Sequence, residues 1–345
     1  MKEANSLFFS TIRSSAWTPA LLAAAVWGVL PVLTRLAWME KSQVASSFQL
    51  IFLFLLIRFS FSSVLTRLLL RVFRPGVSAS PSLFRGLRSG AISAKLLSLW
   101  IGITLLNTWI ITLALSEIPA GIYTLVFSVH PILGVLLSAP RTAGKYVRKN
   151  WLALGITLIG TLVFCATEDF SGGAPSWIGW VSLASGMLTW LGYSLLSERL
   201  SATGIAPLEL TELTQWMGVL SALGILFQGP DILGFIRSEP KIVSSALLTG
   251  VLGIVAFGCF QVALARSARI AFLAQYFEPI AAFLTAGILL GEKVSAVQWL
   301  AASLTLYGLY RLMDEPDDTK KPQNHKEASS SALAIQPLSA DSLSP

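Results

Sequence analysis

Apolar residues come along this chain in long blocks rather than in alternation, and short polar or basic joints separate the blocks. A hydrocarbon core of about 30 Å takes roughly 20 apolar residues per crossing helix. Ten stretches fit that length: 17–38, 48–70, 96–115, 118–139, 150–166, 176–197, 211–228, 242–264, 270–290 and 295–312. The fifth and tenth are short and rich in small residues, and Ser116-Glu117-Ile118-Pro119 is the tight polar turn between the third and fourth. The pattern predicts an all-α integral membrane protein with ten transmembrane helices.

The blocks repeat. At an offset of 148 residues, His130-Pro131-Ile132 falls on Glu278-Pro279-Ile280, and Asn150-Trp151-Leu152-Ala153 falls on Gln298-Trp299-Leu300-Ala301. Thr157, Leu158 and Gly160 meet Thr305, Leu306 and Gly308 in the same register. The opening helices rhyme as well, with Trp27-Gly28 against Trp190-Leu191-Gly192. Five spans per half is an odd number, so the second copy enters from the opposite face, and the halves form two inverted five-helix repeats. Secondary transporters are commonly built this way, with the solute site at the midplane between the halves.

Composition agrees: 54% of the residues are hydrophobic and only 12% charged, outside the range of soluble domains. The net charge of +7 invites a nucleic-acid partner, but the distribution argues against one. Lys and Arg concentrate in alternate joints: Arg67, Arg71, Arg74, Arg85, Arg88 and Lys95 in one, Arg141, Lys145, Arg148 and Lys149 in another. By the positive-inside rule these face the cytoplasm, which puts both termini there and favours the cell (inner) membrane. The N-terminus up to residue 16 and the Pro/Ser-rich tail from 313 to 345 are read as cytoplasmic, the tail as disordered. Cys165 and Cys259 give neither a disulfide framework nor metal spacing, and are read as small packing residues.

Several polar groups fall at membrane depth. Counting rises from the helix ends, Pro131 and Pro279 lie roughly 14–18 Å deep. A mid-helix proline frees the carbonyl four residues earlier, here those of Phe127 and Gln275. Packing kinks or hinges for alternating access both fit. Glu278 is costly at that depth and marks a site. It could bind a cation, carry a proton, or pair with Arg58, the second intramembrane charge. His130, the mate of Glu278, is either a proton relay or a hydrogen-bonded spacer. Asn107, Gln261 and Gln275 are mid-span amides that bridge helices or orient a ligand. Trp27, Trp109, Trp190 and Tyr276 lie mid-span and offer faces for a cationic or planar solute. Trp17, Trp38, Trp151, Trp177, Trp180 and Trp299 lie at span ends, as interface anchors do. No phosphate-cradling G-x-x-x-x-G-K-[ST], H-E-x-x-H or G-x-S-x-G occurs. Neither an enzyme nor a metal or cofactor is expected.

The run Ala268-Arg269-Ile270-Ala271-Phe272-Leu273, then Glu278-Pro279-Ile280, then Leu289-Leu290-Gly291-Glu292 and Gln298-Trp299, resembles the signature of the drug/metabolite transporter superfamily, EamA family. The resemblance covers residues 17–312. It implies a first EamA-like repeat over 17–167 and a second over 176–312, with the cavity lined by helices 1, 3 and 4 and their mates 6, 8 and 9. The first repeat keeps Pro131 and Trp151, but Leu137-Ser138-Ala139-Pro140-Arg141 replaces Leu-Gly-Glu.

The expected function is secondary transport of a small organic metabolite by alternating access. Exchange, facilitated movement and proton coupling all remain open, as does the oligomeric state. Glu278, Tyr276 and Gln275 would contact the solute with Trp109 and Asn107. Trp27 and Trp190 would close the sides, and Arg58 would balance charge. A paired Glu and Arg beside aromatics favours a zwitterion with a ring or an extra positive centre. S-adenosylmethionine fits, as do amino acids or drugs. A non-transporting receptor or scaffold is the reading from another class.

Overall fold

The structure is a computed structural model that describes residues 16–38, 47–73, 86–88, 90, 92–117, 127, 129–138, 140–167, 177–224, 232–291 and 295–313. Glu292 and the two cytoplasmic tails of the sequence reading therefore lie outside the described residues. The main elements are helices: α1 Trp17–Trp38, α2 Ser47–Phe73, α3 Ala94–Glu117, α4 His130–Ser138, α5 Pro140–Ala166 and α6 Trp177–Ala202. They continue with α7 Pro207–Ala222, the short α8 Ile232–Ser238, α9 Pro240–Arg266, α10 Ala268–Leu273, α11 Glu278–Leu290 and α12 Ala296–Met313.

Six segments among the described residues are long and apolar enough to cross a membrane: Trp17–Thr34, Leu50–Val72, Ala94–Ile111, Gly144–Phe164, Pro240–Arg266 and Ala268–Leu289. Helices α6, α7 and α12 fall short of that length or apolarity, and half of the fourth expected span lies outside the described residues. Large apolar side chains cover the outer surface, Ile288 being 81% exposed and Leu300 63%. An exposed apolar surface of that extent is suited to lipid. Trp177, Trp180 and Trp299 are exposed in the first turns of their helices and Trp151 is exposed within α5, whereas Trp17 is buried in the core rather than anchored at the surface.

Local chemistry explains where helices begin and break. Helix α7 starts at Pro207, four residues before the expected 211, because proline suits the first helical turn and Glu209 complements its dipole. Helix α5 extends back to Pro140, with a kink at Asn150 (φ −110°, ψ 15°) that falls where the span was expected to open. The ninth span is not one helix. Helix α10 gives way to a 3₁₀ turn, Ala274–Phe277, and α11 begins at Glu278 with Pro279 in its first turn. Pro131 likewise sits at the second position of α4. Both prolines stand in the first turn of an α-helix, and Pro279 does so inside a helical run from Ala268 to Leu290 that the 3₁₀ turn interrupts, where the sequence reading set a kink.

The freed carbonyls do not stay bare. The backbone N–H of Glu278 donates to the Gln275 carbonyl, and the Nδ1 edge of His130 lies 2.5 Å from the Phe127 carbonyl. Irregular backbone at membrane depth is tolerated where neighbouring groups meet it in this way.

Two further residues of the signature also have structural roles. Gly291 ends α11 in the left-handed conformation (φ +70°) that only glycine adopts without strain. Ser295 and Gln298 form a capping box at the start of α12. Gln298 N–H donates to Ser295 Oγ at 3.2 Å, and Ser295 N–H donates to Gln298 Oε1 at 2.8 Å.

The most extensive contacts join α5 to α12, α1 to α9, α3 to α6, α1 to α11, and α2 to α7. Each pairs a helix of the first half with one of the second. A large core cluster gathers Trp27, Trp100, Trp190, Tyr193, Phe260 and Phe272 between them.

Candidate functional site

A small cavity of about 30 Å³ lies inside the bundle, lined by Phe59, Thr104, Asn107, Thr108, Trp190, Tyr193, Thr214 and Phe257. These residues come from α2, α3, α6, α7 and α9, so both halves contribute. The lining mixes neutral hydrogen-bonding groups with aromatic faces. The volume suits a water or two rather than a metabolite. Admitting a larger solute requires the helices to part.

The polar side of the cavity is tied into a buried network. Thr189 Oγ1 donates to Asn107 Oδ1 at 2.9 Å. Tyr193 OH is 3.0 Å from Thr214 Oγ1 and accepts from Gln261 Nε2 at 2.7 Å. Trp100 Nε1 donates to Ser197 Oγ at 2.8 Å, which ties α3 to α6. Gln261 Oε1 has no hydrogen-bond partner although the residue is fully buried. On the aromatic side, Trp190 stacks on Phe260 and Tyr193 and meets the edge of Trp27 at 5.2 Å between centroids.

Of the residues expected to contact solute, Asn107 and Trp190 line this cavity. Trp27 backs its wall, packed on Trp190 and Phe260. Gln275 and His130 lie behind Trp190. Gln275 Oε1 accepts from Trp190 Nε1 at 3.2 Å and lies 2.6 Å from His130 Nε2. Indole N–H can only donate, so it orients the amide with its oxygen towards both rings. His130 belongs to the first half and the other two to the second, which makes this a buried polar tie between halves.

The remaining expected residues lie elsewhere. Tyr276 is wholly buried in the core and its hydroxyl has no partner. Trp109 is 40% exposed and packs on Phe52, away from the cavity. Arg58 and Glu278 do not form the ion pair that the sequence allowed. The Arg58 guanidinium lies over the Phe59 ring, 5.2 Å from its centroid, and its Nε is buried without a partner. Glu278 is half-buried, with its backbone carbonyl against Gly28 of α1. Equal depth along two helices does not make two side chains face each other.

Sequence reading missed Thr104, Thr108, Tyr193 and Thr214, and it missed Glu212. Glu212 is 3% exposed, and its Oε1 accepts from Arg67 Nη1 at 3.3 Å, joining α7 to α2. The signal was present in the spacing: Glu209, Glu212 and Gln215 recur every three residues, as do Thr211 and Thr214, so both sets share helix faces. Among the described residues no three His, Cys, Asp or Glu side chains gather to hold a metal ion.

Residues 177–313 match the model of the EamA-like transporter family. The similarity concerns the second half of the chain. One solved crystal structure of a protein covers 87% of this chain and 98% of its own, at 20% identity and a TM-score of 0.62. That likeness concerns the fold alone. No curated protein matches the chain. With six segments apolar and long enough to cross a membrane among the described residues, the chain has the make-up of a multi-pass membrane protein, and its second half is similar to the EamA-like transporter family.

Proposed function

We propose that the protein is a secondary transporter that moves a small, ring-bearing organic solute by alternating access. The observation that carries this reading is the cavity between the halves, where Asn107 and three threonines face Trp190, Tyr193, Phe59 and Phe257. Solute sites combine apolar walls with a few placed polar groups. A scaffold has no use for such a lining.

Two features support an inverted, two-fold arrangement of ten crossings. Gly160 of α5 packs on Thr305 and Ala301 of α12, and Gly308 of α12 packs on Thr157 and Ala153 of α5. The basic joints, moreover, alternate along the chain, which orients both termini to the cytoplasm. Halves that grip each other reciprocally can rock about the cavity between them.

The cavity lining contains no carboxylate. The aromatic faces still suit a ring, so amino acids with planar side chains fit at least as well as S-adenosylmethionine. The test is uptake into proteoliposomes of labelled aromatic amino acids and S-adenosylmethionine, with and without a pH gradient. Saturable uptake that falls when Asn107 and Thr104 are replaced by Leu and Val supports the reading. Tight liposomes that take up none of these solutes count against it.

A further inference from the structure

Arg58 poses a problem that the transport reading does not by itself solve. It lies nine residues before Arg67 on α2, roughly 13 Å deeper along the helix. The Arg67 side chain is 45% exposed and reaches Glu212. Arg58 is only partly exposed, and no carboxylate stands within ion-pair distance of it among the described residues. Its guanidinium rests instead over the Phe59 ring.

The protein has nevertheless made room for this charge. A Cβ on Gly253 of α9 would fall 3.3 Å from Arg58 Nη2. Gly250, one turn earlier, brings α9 close to α2, where Ser62 Oγ donates to both the Arg58 carbonyl (2.7 Å) and the Gly250 carbonyl (3.0 Å). The guanidinium is therefore held between α2 and a glycine face of α9. Phe59, the next residue on α2, lines the cavity. So does Phe257, one turn beyond Gly253 on α9.

A guanidinium kept inside a membrane bundle without a counter-ion is expensive, and such charges mark ligand pathways. Its planar fork matches a carboxylate or phosphate in two parallel hydrogen bonds. Resting on the cavity as the solute site, we infer that Arg58 is its anion-recognition point. The solute carries a carboxylate or phosphate towards Gly253, with its ring on Phe59, Phe257 and Trp190. The solute class is therefore organic anions and zwitterions with a planar body. Cations lacking an anionic group are excluded.

The experiment uses the purified full chain in proteoliposomes and matched solutes. Phenylalanine against phenylalaninamide tests a carboxylate, and adenosine monophosphate against adenosine tests a phosphate. In at least one pair the member that bears the carboxylate or phosphate enters at least tenfold faster than the partner that lacks it. Arg58→Gln removes that preference and Arg58→Lys keeps part of it.

A second measurement needs no solute. An unpaired charge kept for binding is released by Arg58→Gln or Arg58→Met, so the ligand-free melting temperature rises by about 2 °C or more. A fall in Tm makes Arg58 a structural residue and overturns the inference. Equal entry of the members with and without the anionic group also overturns it, as does a preference that survives Arg58→Gln. If the wild type takes up nothing, the transport reading fails; the anion site then stands only if adenosine monophosphate or phenylalanine raises the Tm of the wild type and not that of Arg58→Gln, and no such difference overturns it.

Discussion

Gly160 of α5 touches Thr305 of α12 so closely that a methyl group on the glycine would fall 2.6 Å from Oγ1 and 2.8 Å from the backbone nitrogen. One repeat length away, Gly308 meets Thr157 in the same way. Because backbone atoms are involved, side-chain rotation does not relieve the clash. Gly160→Ala or Gly308→Ala should each destabilise by about 1–3 kcal/mol through overpacking. Gly155 lies on the same helix with nothing within 4 Å of its Cβ position. Gly155→Ala should be neutral or stabilising by up to about 1 kcal/mol. Thermal unfolding in detergent ranks the three variants, and equal effects at 155 and 160 would remove the close contact as the cause.

That contrast shows what the sequence could and could not reveal. The pairing of Gly160 with Thr305 was implicit in the repeat, since matched residues sit in matched surroundings. The turn chemistry of Pro279, Gly291, Ser295 and Gln298 was legible because local backbone needs dictate those residue types. Helix α1 came out at its expected bounds, 17–38. The cavity was legible only at Asn107 and Trp190. Hydropathy fixes depth along a helix, but the side a residue faces depends on the neighbour it packs against. Arg58, Glu278 and Trp109 were therefore grouped by depth, whereas the structure separates them around the bundle. Glu212 and Thr214 fell inside the expected span 211–228, but hydropathy gave no sign of which side of α7 they face.

Glu212 and Arg67 form a lopsided pair, one partner buried and the other 45% exposed, with Glu212 Oε2 lacking any partner. Arg67→Ala leaves the carboxylate buried without its cation, which should cost about 1–3 kcal/mol. Glu212→Gln removes the charge that needs pairing and should cost less. Adding Glu212→Gln to Arg67→Ala should recover stability relative to Arg67→Ala alone. A double-mutant cycle on melting temperature reads this coupling, and strictly additive shifts would show that the contact carries no energy.

Gln275 Oε1 accepts from Trp190 Nε1 and lies 2.6 Å from His130 Nε2, which donates to it in the tautomer that carries its proton on Nε2 rather than on Nδ1 beside the Phe127 carbonyl. Gln275→Leu preserves bulk but strands the Trp190 N–H in the core, with a loss of about 1–3 kcal/mol. Gln275→Glu keeps the accepting oxygen and should retain most of the stability. Since the tie crosses between halves, Gln275→Leu should also change the rate of uptake by more than a matched core variant such as Leu273→Ala. Uptake rates compared at equal melting temperature test this, and equal rates would confine Gln275 to packing.

Glu278 begins α11, half-buried, and its carboxylate has no hydrogen bond or ion pair among the described residues. A carboxylate in that position contributes nothing to packing that an amide cannot supply, and it costs about 2.5–3.5 kcal/mol to hold in a membrane. Glu278→Gln should therefore insert normally and melt at the wild-type temperature or above. If the charge serves transport, the same variant loses uptake, or loses the response of uptake to a pH gradient. The two readouts separate the roles: a lower melting temperature would reveal a structural partner, whereas full uptake with an unchanged pH response would take Glu278 out of the transport cycle.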